Sequence, residues 1–213
     1  RSVSSNKFRD MAATYSGAMA IDFTLTPELE EIRQRVRTFI NEVVKPGEAE
    51  LAQLRDEDRG DYIGKLVAMR KQAHAVGLWM PHMPKEWGGM GLGHVQLAMV
   101  QAEAAKAGYG PWVLNCQAPD EGNMHTLLHW GTPEQKEKYL RPLCDGTAMS
   151  CFAMTEPEVA GSDPTLIRTY AVQDGDEWVI NGHKWFISNA RRAKFAILVC
   201  RTEDNPDLPQ AAN

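Results

Sequence analysis

Two short segments in the last third of the chain carry the residue types that a binding site for a flat ring needs. Residues 151–163 read CFAMTEPEVAGSD, and residues 182–190 read GHKWFISNA. Each segment places a short apolar run beside hydroxyl groups, a glycine and backbone amides. Apolar side chains can cover the face of a ring, while hydroxyls and amides donate hydrogen bonds to its edge. The pattern therefore predicts a site for a partly apolar ring with polar edges and an attached phosphate chain.

The first segment offers the hydrogen-bond donors that a flavin requires. Negative charge gathers at the pyrimidine edge and N5 of a flavin when it is reduced, so donors are needed there. Thr155, Ser162 and neighbouring amides are candidate donors, and Gly161 allows close backbone approach because it has no Cβ. A turn between two elements has a similar composition, so this segment alone leaves both interpretations open.

The second segment favours the flavin interpretation. Trp185 and Phe186 follow an Asn-Gly pair on a predicted strand over 183–189, and Ser188 lies two residues beyond Phe186. Because side chains alternate along a strand, Phe186 and Ser188 are predicted to share one face. Aromatic residues in strands usually belong to the core, so the inference depends on the two segments together.

Length, charge and cysteine usage exclude several classes of protein. The chain has 213 residues, is 43% hydrophobic and carries a net charge of −5. This charge argues against a nucleic-acid-binding protein, which would show a basic face. No apolar stretch is long enough to span a bilayer. Four scattered cysteines without a CxxC pair favour reduced thiols in an intracellular protein.

The N-terminal part shows helical periodicity interrupted by proline and glycine. The first predicted helix is capped by Thr26 and ends at Pro46, and its arginines, Arg33, Arg35 and Arg37, are interpreted as a solvated face. The predicted helices span 26–45, 61–76, 94–107 and 112–130, and a last helix opens with a capping box at Thr132 and fades near Gly146.

The pattern changes after residue 146. Predicted strands span 169–173, 177–181, 183–189 and 194–202, with Asp-Gly and Asn-Gly pairs that are typical of hairpins between them. We therefore predict an α+β fold. An all-α N-terminal bundle spans 21–146, and 147–213 form the first part of an antiparallel β domain. Residues 1–20 are interpreted as a tag, linker or processed leader. The β domain is expected to be truncated.

Over residues 21–202 the chain resembles the acyl-CoA dehydrogenase family of flavoproteins. The resemblance rests on PKEWGGMGL at 84–92, GTPEQK at 131–136 and the two segments above. It implies FAD as cofactor, and it implies that Ser162 also lies near the acyl thioester. The cofactor-binding residues implied by the resemblance are Phe152, Met154, Thr155, Gly161, Ser162, Trp185, Phe186 and Ser188.

Two departures point to a subgroup. The family's commonest form of the first motif is TEPGAGSD, whereas this chain has TEPEVAGSD, and Phe186 stands where many relatives have tryptophan. The extra residue and the segment NCQAPDEGNM at 115–124 are similar to acyl-CoA dehydrogenase family members ten and eleven. That subgroup leans towards long or modified acyl chains.

The resemblance implies an oxidoreductase of fatty acid β-oxidation that introduces an α,β double bond into an acyl-CoA. It also implies an electron-transferring flavoprotein as electron acceptor and a homodimer or homotetramer. The family's catalytic carboxylate comes from a C-terminal helical bundle that is absent from this chain, so no catalytic residue is assigned and the chain alone is expected to be inactive. The implied location is cytoplasmic in a bacterium and mitochondrial or peroxisomal in a eukaryote.

Two alternatives stay open. One is a flavin-dependent acyl-CoA oxidase or monooxygenase on the same fold. The other is a non-catalytic fragment that binds acyl-CoA or a partner protein.

A metal site is not predicted. His125 and His129 stand four residues apart on a predicted helix, a spacing that can bind zinc. No carboxylate or cysteine is recognisable as a further ligand from the sequence.

Overall fold

The computed structural model describes residues 25–54, 58–161 and 163–202. Residues 1–20, interpreted as a tag, linker or processed leader, and residues 203–213 lie outside these described residues. Helices occupy the described chain as far as Cys144, and the first strand begins at Ser150. Within the described ranges, no helix combines the length and the apolar character needed to cross a membrane.

Eight helical segments build the N-terminal part that is described. Two of them continue into their neighbours through single π turns, at Ile40–Val44 and Lys136–Leu140, and a 3₁₀ turn lies at Lys85–Trp87. The α-helices are α1 (Pro27–Phe39), α2 (Lys45–Leu51), α3 (Arg59–Ala75), α4 (His94–Ala104), α5 (Gly110–Val113), α6 (Asp120–Trp130), α7 (Pro133–Gln135) and α8 (Arg141–Cys144).

The predicted end of the first helix at Pro46 is wrong. Thr26 caps the start of α1 as predicted, with its hydroxyl accepting from the Leu29 amide at 3.4 Å, but the helix passes through a π turn into α2. Pro46 stands in the first turn of α2, where its missing N–H is tolerated. A Cβ on Gly47 would lie 2.4 Å from Met69 Sδ, so this glycine permits close packing on α3.

The predicted helix over 112–130 is also wrong, because α5 and α6 are separate. Asn115 has a left-handed backbone with φ +54°, and its buried side chain is held in a specific position. It accepts a hydrogen bond from Arg70 at 3.1 Å and donates one to the Leu143 carbonyl at 3.2 Å. Pro119 then begins the next helix, where it has no N–H to contribute.

The capping box at Thr132 is confirmed. The Thr132 hydroxyl accepts from the Gln135 amide at 3.2 Å, and the Gln135 side chain accepts from the Thr132 amide at 2.9 Å. Both partners lie within four residues, which is why local sequence specifies this helix start.

The interpretation of Arg33 and Arg37 as a solvated face is only partly right, because both side chains are partly exposed but also form ion pairs. Both guanidinium groups contact Glu103 on α4, at 3.2 Å for Arg33 and 2.7 Å for Arg37. Lys106 adds a third cation at 2.6 Å. Glu103 is only 5% exposed, so this cluster joins α1 to α4 beside the apolar core.

The strands of the described residues form two pairs, one antiparallel and one parallel. The hairpin β2 (Tyr170–Asp174) and β3 (Glu177–Asn181) is antiparallel, with Gly175 at φ +62° in its two-residue loop. In contrast, β1 (Ser150–Ala153) pairs in parallel with β4 (Phe195–Leu198). A parallel pair needs a long crossover, which residues 154–194 provide. The antiparallel prediction is therefore correct for the hairpin and wrong for β1 and β4.

The predicted strand over 183–189 does not form. Phe186 and Asn189 have left-handed backbones, with φ +52° and +70°, which a strand excludes. The preceding Asn-Gly pair makes no hairpin either. Gly182 instead packs against Thr169, whose Oγ1 would lie 2.2 Å from a Cβ at this position.

Candidate functional site

The two segments singled out from the sequence lie side by side and are joined by two hydrogen bonds. The Thr155 hydroxyl donates to the Trp185 carbonyl at 2.6 Å. The Trp185 amide donates back to the Thr155 carbonyl at 3.1 Å. The two segments therefore behave as one unit, although they are thirty residues apart in sequence.

A buried ion pair anchors this unit. Glu156 is 2% exposed, and its carboxylate accepts from the Arg168 amide at 2.7 Å, the Thr169 amide at 2.8 Å and the Thr169 hydroxyl at 2.5 Å. Lys184 donates to the same carboxylate at 2.9 Å and to the Met154 carbonyl at 2.7 Å. Glu156 thus ties the first segment to the residue that precedes Trp185.

The same contacts determine the charge of Glu156. Burial alone would raise the pKa of this carboxyl, but hydrogen bonds from Thr169, Lys184 and the Arg168 amide outweigh it and hold the pKa at about 2. The group is therefore a carboxylate at neutral pH with all its donors already supplied by the protein. This arrangement suits a structural anchor rather than a catalytic base.

A cavity of about 460 Å³ opens where the two segments face helix α6. Five of the predicted cofactor-binding residues line it, together with residues from the start of α6 and the turn before it. The lining residues are Phe152, Met154, Thr155, Phe186, Ser188, Ala118, Pro119, Gly122, Asn123 and Thr126.

Phe186 is presented to this cavity instead of being buried in the core. Its left-handed backbone turns it out of any strand, and 82% of the residue is exposed. Phe186 and Ser188 both line the cavity, although the strand that was predicted to place them on one face does not form.

The remaining predicted site residues have different surroundings. Trp185 is not among the cavity's lining residues, but its ring packs on that of Phe186 with centroids 4.4 Å apart. Gly161 lies against Thr155, and a Cβ there would be 3.0 Å from Thr155 Cγ2. Ser162 lies outside the described residues, so its predicted cofactor and substrate contacts stay predictions.

Helix α6 is the wall of the cavity that sequence reasoning missed. Pro119, Gly122, Asn123 and Thr126 recur at the spacing of one helical face, which was the available signal. In the sequence, the segment 115–124 indicates the subgroup but gives no sign of a cavity wall. These positions lie in a different part of the chain from the two flavin-type segments, so no local pattern connects them.

Buried polar contacts hold α6 against β1. The Ser150 hydroxyl donates to Asp120 at 2.6 Å and accepts from Asn123 at 2.8 Å. Asn123 also donates to the Cys151 carbonyl at 3.1 Å. Ser150 is fully buried, so this one hydroxyl joins the helical wall to the strand that leads into Phe152.

Replacement of Ser150 by alanine is expected to loosen this wall. The change leaves Asp120 and Asn123 each one partner short, which costs about 1–2 kcal/mol of unfolding free energy. Thermal unfolding of the full-length protein measures this loss. Thr147→Ala is the matched control, since the Thr147 hydroxyl is exposed and contacts only the Pro142 carbonyl. Equal stability of the two variants would contradict the proposed role of Ser150.

A second cavity of about 350 Å³ adjoins the first and shares Ala118, Pro119 and Ser188 with it. Its lining is more polar. It includes the hydroxyls of Tyr62 and Tyr109, the carboxylate of Asp120 and the guanidinium of Arg192.

The residues around the first cavity suit a flavin. Phe186, Phe152 and Met154 offer an apolar face, and Ser188 and Thr155 offer hydroxyls at the edge of the same space. Gly161 keeps the backbone close to Thr155 where a larger side chain would crowd it. A flat ring with one apolar face and polar edges fits this arrangement.

Comparison with known proteins places both halves of the chain in one family. Residues 26–147 match the acyl-CoA dehydrogenase N-terminal domain, and residues 151–212 match the acyl-CoA dehydrogenase middle domain. Acyl-CoA dehydrogenase family member 11 of Homo sapiens is 38% identical over 189 residues, which cover 85% of this chain and 24% of the human protein.

Similar solved structures point to the same family. A putative acyl-CoA dehydrogenase from Mycobacterium abscessus is 36% identical with a TM-score of 0.79, over 86% of this chain and 48% of that one. A glutaryl-CoA dehydrogenase from Mycobacterium smegmatis, solved in complex with FADH2, is 27% identical with a TM-score of 0.65, over 85% of this chain and 44% of that one. The chain thus spans about a quarter to a half of these proteins. It belongs to the acyl-CoA dehydrogenase family.

Proposed function

We propose that the full-length protein is an FAD-dependent acyl-CoA dehydrogenase that introduces a double bond between the α and β carbons of an acyl-CoA. The observation that carries this proposal is the cavity at which Thr155, Phe186 and Ser188 converge on α6. The FADH2 complex of the similar glutaryl-CoA dehydrogenase supports the choice of cofactor.

The chain's own residues would hold and shield the cofactor. Phe186 would cover a ring face, Phe152 and Met154 would exclude water, and the Ser188 hydroxyl would supply a donor at the ring edge. When bound, the flavin supplies the acceptor for a hydride from the β-carbon. The base that removes the α-proton is not assigned to this chain, because the best-placed carboxylate, Glu156, is engaged by Lys184, Thr169 and the Arg168 amide.

The substrate we propose is an acyl-CoA with a long or modified acyl chain. The second cavity supports this choice, since it extends the first and adds the polar groups of Tyr62, Tyr109 and Arg192 to an apolar lining. We further propose a homo-oligomer that works in fatty acid β-oxidation and passes electrons to an electron-transferring flavoprotein, at an intracellular site.

A visible spectrum followed by anaerobic titration tests the reaction. The full-length protein is expected to be yellow, and its flavin absorbance is expected to bleach with acyl-CoAs of one chain class. A protein that cannot be reconstituted with FAD would contradict the proposal. Rapid reaction of the reduced flavin with oxygen would instead indicate the oxidase or monooxygenase alternative.

Replacement of Phe186 by alanine tests the cofactor site. Loss of an aromatic ring face is expected to weaken FAD binding about tenfold, or about 1.4 kcal/mol, as measured by equilibrium titration of the apoprotein with FAD. Trp130→Ala is the matched control, because Trp130 is similarly exposed, at 86% against 82% for Phe186, but lies at the far end of α6. Equal FAD affinities in the two variants would exclude Phe186 from the site.

A further inference from the structure

A second cluster of chemically active side chains lies on another face of α6, away from the flavin-type cavity. It consists of His82 from the loop before α4 and of Glu121 and His125 from α6. The cavity side of the same helix carries Gly122 and Thr126. The cluster is therefore separate from the proposed cofactor site.

A backbone contact fixes the tautomer of His82. Its Nε2 lies 3.0 Å from the Asn115 carbonyl oxygen, which can only accept a hydrogen bond, so Nε2 carries the proton. In the neutral ring Nδ1 then carries a lone pair, and it accepts the hydrogen bond from His125 Nε2, 3.1 Å away. Ligating histidines are commonly oriented in this way, by donation of the second ring N–H to a carbonyl.

The spacing of the three side chains suits one small divalent ion. One ligand atom from each of His82, Glu121 and His125 lies within 4.8 Å of the other two. Two nitrogens at about 2.0–2.1 Å from a tetrahedral zinc ion stand about 3.3 Å apart. The observed 3.1 Å between His82 Nδ1 and His125 Nε2 is close to that value.

We propose that His82, Glu121 and His125 bind a single zinc ion. Two imidazoles and one carboxylate form a ligand set that zinc accepts, and they leave one coordination position for a further ligand. Metal binding requires unprotonated imidazoles, and the Asn115 carbonyl already holds the second ring nitrogen of His82.

The ion would join two parts of the site's scaffold. His82 belongs to the loop that precedes α4, and His125 lies on the helix that forms the cavity wall. In the metal-free arrangement a hydrogen bond between the two rings makes a weaker link of the same kind. For zinc to bind, the proton of the neutral His125 ring must move from Nε2 to Nδ1, which leaves each of the two facing nitrogens with a lone pair for the ion.

His125 and His129, whose spacing in the sequence could bind zinc, do not both belong to the proposed site. The rings of His125 and His129 stack, with centroids 6.1 Å apart and planes 13° apart. His129 is exposed and is not one of the three clustered ligands. It therefore serves as a control on the same helix.

Zinc titration of the full-length protein, purified with its FAD and stripped with a chelator, tests the site. Competition against a chromophoric chelator is expected to show one tight equivalent, and zinc is expected to raise the unfolding temperature. Glu121→Gln and His125→Gln are expected to weaken binding at least about tenfold, as even outer-shell partners do. His129→Gln is expected to bind as the wild type does.

Either of two results would overturn the proposal. One is the absence of a tight equivalent in the wild type. The other is zinc affinity that is the same in Glu121→Gln, His125→Gln and the wild type, or that is lost equally in His129→Gln. Flavin content, read from the visible spectrum of each variant, separates failure of this site from failure of the proposed function.

Discussion

Replacement of Glu156 by glutamine is expected to destabilise the protein and release its flavin. The change leaves Lys184, whose side chain is 10% exposed, as a buried cation without a counter-charge. It also weakens the hydrogen bonds from the Arg168 and Thr169 amides. Removal of one partner of a buried ion pair costs about 3–5 kcal/mol. Thermal unfolding and the fluorescence of released flavin measure the two effects.

Glu158→Gln is the matched control for this variant. Glu158 lies in the same segment but is exposed, and its carboxylate lies 3.9 Å from the imidazole of His183. The control is expected to retain its flavin. If Glu156→Gln lost no more stability or flavin than Glu158→Gln, the anchoring role of Glu156 would be excluded.

A double variant separates the effect of an unpaired buried charge from the effect of losing the Glu156–Lys184 contact. When Lys184→Met is added to Glu156→Gln, no unpaired charge is left, so part of the lost stability is expected to return. The flavin is still expected to be held weakly, because the link that Glu156 makes between the first segment and Lys184 is then missing. The Lys184→Met single variant completes the comparison. If the losses of unfolding free energy in Glu156→Gln and Lys184→Met simply added up to the loss in the double variant, direct coupling between Glu156 and Lys184 would be contradicted.

Replacement of Glu103 by glutamine is expected to weaken the contact between α1 and α4. The carboxylate is 5% exposed and contacts Arg33, Arg37 and Lys106. Because the three cations remain partly solvated, we expect a loss of about 2–3 kcal/mol of unfolding free energy, below the cost for a fully buried pair. Chemical denaturation measures it, and the exposed Glu31→Gln on α1 is the control.

The same residue predicts a pH dependence. Hydrogen bonding from Arg37 lowers the pKa of Glu103 to about 2 from its ordinary 4.5. A lowered folded-state pKa stabilises the protein above pH 4.5, and that contribution is lost as the pH falls towards about 2. Stability of the wild type should therefore fall more steeply in this window than that of Glu103→Gln. Parallel curves would contradict the assignment.

Features that depend on neighbouring residues were predictable from the sequence. The caps at Thr26 and Thr132 formed because each hydroxyl accepts from an amide three residues away. The hairpin at Gly175 formed because glycine accepts its positive φ at no steric cost. The family was equally accessible, since its motifs are continuous stretches, and the family matches at 26–147 and 151–212 confirm it.

Features that depend on distant residues were decided only by the tertiary structure. Whether β4 pairs with β1 or with its neighbour depends on a crossover of about forty residues, for which no turn motif exists. Phe186 has a left-handed backbone, and the residue before it, Trp185, is hydrogen-bonded to Thr155, thirty positions away in the chain.

The charged groups show the same division. Glu103, Glu156 and His82 look like ordinary polar residues in the sequence, and each has at least one partner that lies 12 to 70 positions away. Local rules specify how a segment folds because its hydrogen bonds close within a few residues. They do not specify which buried charge meets which, because that depends on how the packed elements bring distant side chains together.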